Sequence, residues 1–373
     1  MGARLRLFTH RDPFDLQGTD DLFTQAIREN AAYQIQHCRE YAMIARAQGF
    51  SPEQIRGIDD IARLPVLPTA LFKHHRLYSM PERRLPVKAT SHGTKGEFSR
   101  IGLEWGSLFS GAFMVQRMAK TRDLLSLRPV NYVILGYKPH RSNEMAVMKT
   151  AFGSTFLAPA LHRFYALQYR EGQYTADLEG VLAALQKFVK SPHPVRFMGF
   201  PSYTWFLLQM LEERGLTVPL PKGSKIMLGG GWKQFYREQV DKRALYDLIR
   251  RRLHVDEENI IEFFGAVEHP ILYTDCKAHH FHVPIYSRVL IRDVHTLDPL
   301  PHGQTGLVNL ITPMVKAVPI LSVMTDDLGI LHDGAECPCG CESPYLEIIG
   351  RVGMRDIKTC AAGAADFLKG GKL

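Results

Sequence analysis

Apolar positions recur three and four apart through residues 21–48, and Gly49 follows. That period predicts one long amphipathic helix with a glycine stop. The stretch SPEQI predicts the start of another helix, with Ser51 as N-cap and Pro52 at the first position. Residues 87–100 are rich in Ser, Thr, Gly and Lys and predict a loop. Beyond them the period changes. Short apolar runs at 131–136 (NYVILG), 195–199 (VRFMG), 225–231 (KIMLGGG) and 260–264 predict strands. Amphipathic stretches at 178–190, 201–213 and 235–253 predict helices. Alternation of this kind indicates an α/β fold with largely parallel pairing. From Phe281 onward, VPIYSRVLIRD, GQTGLVNLITP and VPILSVMTDDLG predict closely spaced strands and a mixed or antiparallel β subdomain. No internal repeat interrupts this order.

A chain of 373 residues exceeds the roughly 250–300 residues one core usually serves, so a large lobe built of subdomains is expected. No apolar run reaches the roughly 18 residues of a membrane span, and the N-terminus lacks an apolar signal core. A cytoplasmic protein without integral membrane contact is expected. The formal charge of +8 comes from scattered Lys and Arg. Without an aromatic-plus-basic stripe it points to an anion pocket rather than nucleic acid. Six cysteines, four of them after residue 330, are too few and too clustered for a disulfide framework. Reduced thiols that merely fill the core, metal ligation or a nucleophile remain for them.

Several segments carry chemistry. Ser91-His92-Gly93-Thr94-Lys95-Gly96 combines hydroxyls, glycines and a lysine, so backbone N–H groups can approach phosphate oxygens. It is not a P-loop, because its glycines stand three apart and no Lys-Ser/Thr pair follows. Gly229-Gly230-Gly231, followed by Trp232 and Lys233, leaves a side-chain-free shelf at a strand's C-terminal end. Open α/β sheets bind ligands at that edge. Phe264-Gly265-Ala266-Val267-Glu268 places a carboxylate just past another strand end, where it can hold Mg²⁺. Asp326 and Asp327 close a strand with two hydrogen-bond acceptors, and Gly350-Arg351 follows YLEII. Cys276 and His282, with Cys337, Cys339 and Cys341, have the two-plus-two build of a zinc site. Alternation along a strand leaves His280 against His282, and Cys339 against Cys341, undecided.

The order and spacing of SHGTKG, LGGGWK, FFGAVE, MTDDLG and IIGR resemble the core motifs of the adenylate-forming superfamily. Within it the chain is similar to the LuxE-type acyl-protein synthetases, from about Tyr33 to Cys360, through LPVLPTALFKHH, GFPSYTW, GGGWK and FHVPIYSRVLIRD. A more distant likeness is to phenylacetate–CoA ligases. The resemblance implies an adenylate-forming lobe with parallel and mixed sheets, a small β subdomain and no full mobile C-terminal domain. It places the core at 1–345, with the β subdomain at about 275–345, and a tail at 346–373 carrying Cys360.

The implied roles follow residue by residue. The loop Ser91–Gly96 holds ATP phosphates. Lys95, which like His92 stands where the superfamily loop has a hydroxyl residue, is a candidate for the catalytic charge the pattern otherwise lacks. Gly229, Gly230 and Gly231 flank the adenine, Lys233 adds charge, and Phe264 stacks beside Gly265. Glu268 ligates Mg²⁺, Asp327 binds the ribose, and Arg351 sits at the junction with the tail. Structural Zn²⁺ falls on Cys276, His282, Cys337 and Cys339. Cys360 near the C-terminus becomes the acylated thiol.

The implied reaction is ATP-dependent activation of a carboxylic, expectedly fatty, acid as an acyl-adenylate. Transfer to Cys360 or to a partner thiol follows, an acyl-accepting protein or acyl-thioester reductase being the expected partner. His92, Val267 and Asp326 depart from the superfamily pattern. They keep open a zinc-stabilised scaffold with weakened catalysis, and a ligase that forms acyl- or aryl-CoA or an amide.

Overall fold

The computed structural model describes residues 2–91, 98–141, 143–231 and 240–351. The chain forms α1 (Ala3–Phe8), α2 (Leu16–His37), α3 (Arg39–Ala47), β1 (Leu67–Pro68), α4 (Thr69–His74), β2 (Val87–Thr90), β3 (Arg100–Leu103) and α5 (Trp105–Thr121). Next come β4 (Val130–Tyr137), α6 (Ala146–Ser154), β5 (Ala160–Arg170), β6 (Gln173–Ala176), α7 (Leu178–Val189), β7 (Val195–Gly199) and α8 (Pro201–Glu213). After β8 (Lys225–Gly229), α9 (Lys242–Leu253) and β9 (Ile260–Ala266), the rest is strand: β10 (His269–Thr274), β11 (Phe281–His282), β12 (Arg288–Arg292), β13 (Thr305–Ile311), β14 (Ser322–His332) and β15 (Tyr345–Arg351). It divides into two compact units, Met1–Met118 with Gly265–Leu373, and Ala119–Phe264.

The unit Ala119–Phe264 is the α/β part. Its strands lie in the order β9-β8-β7-β4-β5-β6, parallel from β9 through to β5, with β6 antiparallel at the edge. Alternation along β4 sends Val133 and Leu135 into one core with Leu185 of α7, Leu208 of α8 and Ile249 of α9. The intervening Tyr132 and Ile134 enter a second core with Met198, Met227 and Ile261. A sheet buried on both faces needs apolar residues at consecutive positions, so its strands are unbroken apolar runs. Residues 232–239 lie outside the described stretches, and α9 is described from Lys242.

The other unit is strand-rich. Antiparallel pairing in the order β11-β15-β14-β13-β12 forms its sheet, and β1 pairs parallel with β14. The N-terminal helices close onto this unit through buried polar groups. The Asn30 amide donates to the carbonyls of Pro313 and Val315, and Gln34 donates to that of Lys316.

Three local expectations are corrected. The helix expected over 21–48 is two helices, because Cys38 is extended (φ −121°, ψ 106°) and buried, and α3 restarts from its carbonyl. A fresh start lets Tyr41, Ile44 and Ala45 turn inward together. SPEQI makes only a 3-10 turn, since Ile55 is drawn into the core in an extended conformation. The loop expected over 87–100 is bracketed by strands, Val87 pairing with Leu103 and Thr90 with Arg100.

Candidate active site

The strand-rich unit gathers polar side chains from distant parts of the sequence. Its base is β14. Between Leu328 and Met324 that strand advances four residues while β13 advances only two, from Leu307 to Asn309. Such a bulge leaves its extra residues unpaired and re-aims their side chains. The bulged stretch comprises Thr325, Asp326 and Asp327. Thr325 is anchored: its hydroxyl donates to the Val308 carbonyl and accepts from the Asp327 N–H. Asp327 stands opposite Arg351 in the pairing with β15.

β1 runs beside β14, matching Pro68 to Met324, and so delivers the start of α4 to the bulge. The Thr69 hydroxyl donates to Asp326 Oδ1 at 3.4 Å. One turn later in α4, Lys73 acts on Glu268. Glu268 lies in the two-residue turn between β9 and β10 and is only 5% exposed. Burial raises its pKa, and the charge of Asp326 adds to that. The Ser99 hydroxyl, the residue's own backbone N–H and Lys73 oppose the rise without cancelling it. Glu268 is thus left with a raised pKa, the condition a hard divalent cation relieves.

Ser99, which acts on Glu268, also meets the glycine-rich segment. Its N–H donates to Ser91 Oγ at 2.8 Å, and the Ser91 N–H donates to its carbonyl at 3.1 Å. Ser91 and Ser99 are therefore joined by two hydrogen bonds, close to Glu268. Behind the Glu268 turn, His269 is fully buried and its pKa is pushed down to about 3 by burial, so the ring is neutral. Its Nε2 meets Ser287 Oγ at 3.0 Å, and Tyr273 donates to the same oxygen at 2.7 Å. The strand that follows Glu268 is held rigidly by that triad.

A second cluster sits farther along the same unit. Cys276, His282, Cys337 and Cys339 offer ligand atoms that all lie within 4.8 Å of one another. The Cys276 and Cys337 sulfurs are 3.7 Å apart, close to the roughly 3.8 Å edge of a tetrahedron with Zn–S bonds of 2.3 Å. Cys339 Sγ lies 3.2 Å from His282 Nε2. On its other side the ring donates from Nδ1 to the Ser343 carbonyl, which turns Nε2 toward the sulfurs. Burial acts against charge on His282, yet its hydrogen bonds to Cys276, Cys341 and Ser343 push it up. Cys276, raised by burial, is brought down to about 6 by His282 and backbone N–H groups. His280 instead lies flat on Tyr345, at 4.2 Å and 4°, with its Nδ1 3.1 Å from Cys337 Sγ.

The unit Ala119–Phe264 offers backbone. Gly229 ends β8 opposite Phe263 of β9, and Gly230 and Gly231 follow at φ 80° and 65°. Only glycine takes these angles without strain, so the shelf is held open by its own conformation.

A profile of the acyl-protein synthetase LuxE family matches residues 6–368. The chain belongs to this family. As a LuxE acyl-protein synthetase it is a ligase that activates a carboxylic acid with ATP and passes the acyl group on. The long-chain-fatty-acid–luciferin-component ligase of Vibrio harveyi is 25% identical over 82% of this chain and 78% of its own. Its counterpart from Aliivibrio fischeri is 23% identical over 98% of this chain and 93% of its own. A phenylacetate–coenzyme A ligase of Thermus thermophilus is 23% identical over 85% of this chain and 66% of its own. Among solved structures, a 2-hydroxyisobutyryl-CoA ligase in the post-adenylation state, in complex with 2-HIB-AMP, superposes with a TM-score of 0.71. At 16% identity, over 93% of this chain and 70% of that one, it establishes the adenylate-forming fold.

For this LuxE protein, His92, Gly93, Thr94, Lys95, Gly96, Lys233 and Cys360 lie outside the described residues, as does the side chain of Arg351. Thr69, Lys73 and Ser99 have no place among the residues singled out by sequence. Thr69 and Lys73 lie inside LPVLPTALFKHH, whose resemblance was legible but whose chemistry was not. Ser99 follows Ser91 by eight residues with no motif to mark it.

Proposed function

We propose that this LuxE protein adenylates a long-chain fatty acid and transfers the acyl group through Cys360 to a partner's thiol. The supporting observation is that Ser91, joined to Ser99 by two hydrogen bonds, lies in one unit with Glu268, on whose carboxyl Ser99, Lys73 and Asp326 all bear. The residues from Ser91 to Gly96 take the ATP phosphates, with Lys95 and Lys233 as further charge. Gly229, Gly230 and Gly231 give a flat backbone surface for the adenine, Phe264 and Gly265 bound it, and Asp327 accepts from the ribose hydroxyls. Arg351 marks the start of the tail.

Glu268 with Asp326 suits Mg²⁺, because a buried carboxyl whose pKa is raised by burial and by a second carboxylate is relieved by a small hard cation. When bound, the ion supplies positive charge to the phosphates. In the first half-reaction a carboxylate oxygen of the acid attacks the α-phosphorus in line. The bond to the bridging oxygen breaks and pyrophosphate leaves with the electron pair. Lys73 lowers the raised pKa of Glu268, and the loop amides and hydroxyls orient the phosphates. In the second half-reaction the Cys360 thiolate attacks the acyl carbonyl and AMP departs, leaving a thioester.

Cys276, His282, Cys337 and Cys339 suit structural Zn²⁺ by donor set and spacing. Such an ion would pin β11 to the segment that precedes β15. Reduced thiols of this kind fit a cytoplasmic setting.

Acid-dependent ATP–pyrophosphate exchange, measured across a series of acid chain lengths, tests the first half. Exchange that rises with chain length supports the reading, and exchange with no acid tried overturns it. Incubation with labelled acid and ATP tests the second half. Label must remain on the wild-type chain and be absent from Cys360→Ser. A label on coenzyme A alone assigns the acceptor to a small thiol instead.

A further inference from the structure

Helix α5 is built with its polarity reversed. Its inward positions are Ser107, Ser110, Met114 and Met118, all almost fully buried, and the Ser107 hydroxyl donates to the Met314 carbonyl. Gly111 lies against the Met314 side chain, so the helix packs closely through small residues. On the outward side Trp105 is 63% exposed, Phe109 62% and Phe113 37%. Their spacing of four places them on one stripe. A helix oriented by folding alone would bury the aromatic rings and show the serines to water. Contiguous apolar surface of this kind marks a binding face.

Helix α1 lies beside it. Arg4 donates to Glu104 and to the Met314 carbonyl, and Arg117 of α5 donates to the Thr9 carbonyl just past α1. Leu5 is a further exposed apolar side chain, on α1. Neither helix contains an acidic residue, whereas Arg6 and Lys120 are exposed. The adjoining carboxylate, Glu104, is buried, pairs with Arg4 and accepts from the N–H groups of Lys316 and Ala317.

We propose that the α1–α5 face docks on an anionic lipid surface. Trp and Phe rings belong at the boundary between headgroups and acyl chains, and flanking Lys and Arg side chains reach the phosphates while their stems stay apolar. A second copy of the chain fits less well, because a two-fold contact would bring these cations together with no carboxylate on either helix to receive them. Among the described residues no helix is long and apolar enough to cross a membrane, so the contact is peripheral. The docking stands on this face alone. That it would place the enzyme where long-chain acids partition rests on the function proposed above.

Co-sedimentation of the full chain with vesicles is the test. One set contains equal phosphatidylglycerol and phosphatidylcholine, the other phosphatidylcholine alone. Wild type should bind the anionic set at least tenfold better, and 0.5 M salt should weaken it. Trp105→Ala with Phe109→Ala should reduce that binding at least tenfold, while exchange with a short, water-soluble acid stays at the wild-type rate. Should the double variant melt early, the pair Arg6→Glu and Lys120→Glu leaves the stripe intact and must show the same loss. Equal binding to both vesicle sets, or full binding by the variants, overturns the proposal. So does a wild-type dimer, seen by sedimentation velocity, that the double variant converts to monomer. Vesicle binding without any acid-dependent exchange would sink the proposed reaction and leave the docking standing.

Discussion

The two units of this protein build chemistry in opposite ways. The strand-rich unit supplies side chains: Glu268, Asp326, Lys73, Ser99 and a four-ligand cluster, brought together by a bulge, a two-residue turn and a short parallel strand. The unit Ala119–Phe264 supplies bare backbone, in the form of glycines at positive φ past the end of a parallel strand. Charged groups must be held against water by buried partners, so their unit is dense in polar networks such as His269–Ser287–Tyr273. A backbone shelf needs only angles that other residues avoid.

The sharpest way to break this contrast is Glu268→Gln. Loss of the buried carboxylate should lower acid-dependent exchange by about a thousandfold or more, a barrier of roughly 4 kcal/mol, with the fold retained. A surviving rate within tenfold would remove Glu268 from the reaction.

Next in size is the cluster. Cys337→Ser should abolish stoichiometric zinc, read by elemental analysis, and cost several kcal/mol of stability, read as a fall in Tm. A strong chelator should act likewise on wild type and leave the variant unmoved.

On the backbone side, Gly230→Ala should cost about 1–2 kcal/mol because alanine is strained at φ 80°. Its KM for ATP should rise about tenfold with kcat changed less. An unchanged KM would detach the shelf from the nucleotide.

The smallest effect sharpens rather than breaks. Lys73 lowers the raised pKa of Glu268. Lys73→Met should therefore raise it further, and the acid limb of the kcat/KM profile should move to higher pH. A shift toward lower pH would contradict the assignment.

Much was legible in the sequence where one period ruled. The strand at 195–199 and the helix at 201–213 coincide with β7 and α8, since a doubly buried strand and its returning helix leave unmixed signals. The break at Cys38 was not legible, because its cause is the packing of Tyr41, Ile44 and Ala45 rather than any local breaker. Of the site, the glycine shelf and Glu268 stood out by residue type and position at strand ends. Ser99 and Lys73 did not, because each matters through a neighbour 169 or 195 positions away in the chain.

The sequence by itself determined the family, the alternation of strands and helices, and the supply of glycines, thiols and carboxylates. These are local matters of period, angle and donor chemistry. Tertiary structure decided which histidine joins the four-ligand cluster, which serine pairs with Ser91 close to Glu268, and which face of α5 carries its aromatic rings. Those choices depend on burial and on partners remote in the chain, and a linear pattern cannot encode the distance between them.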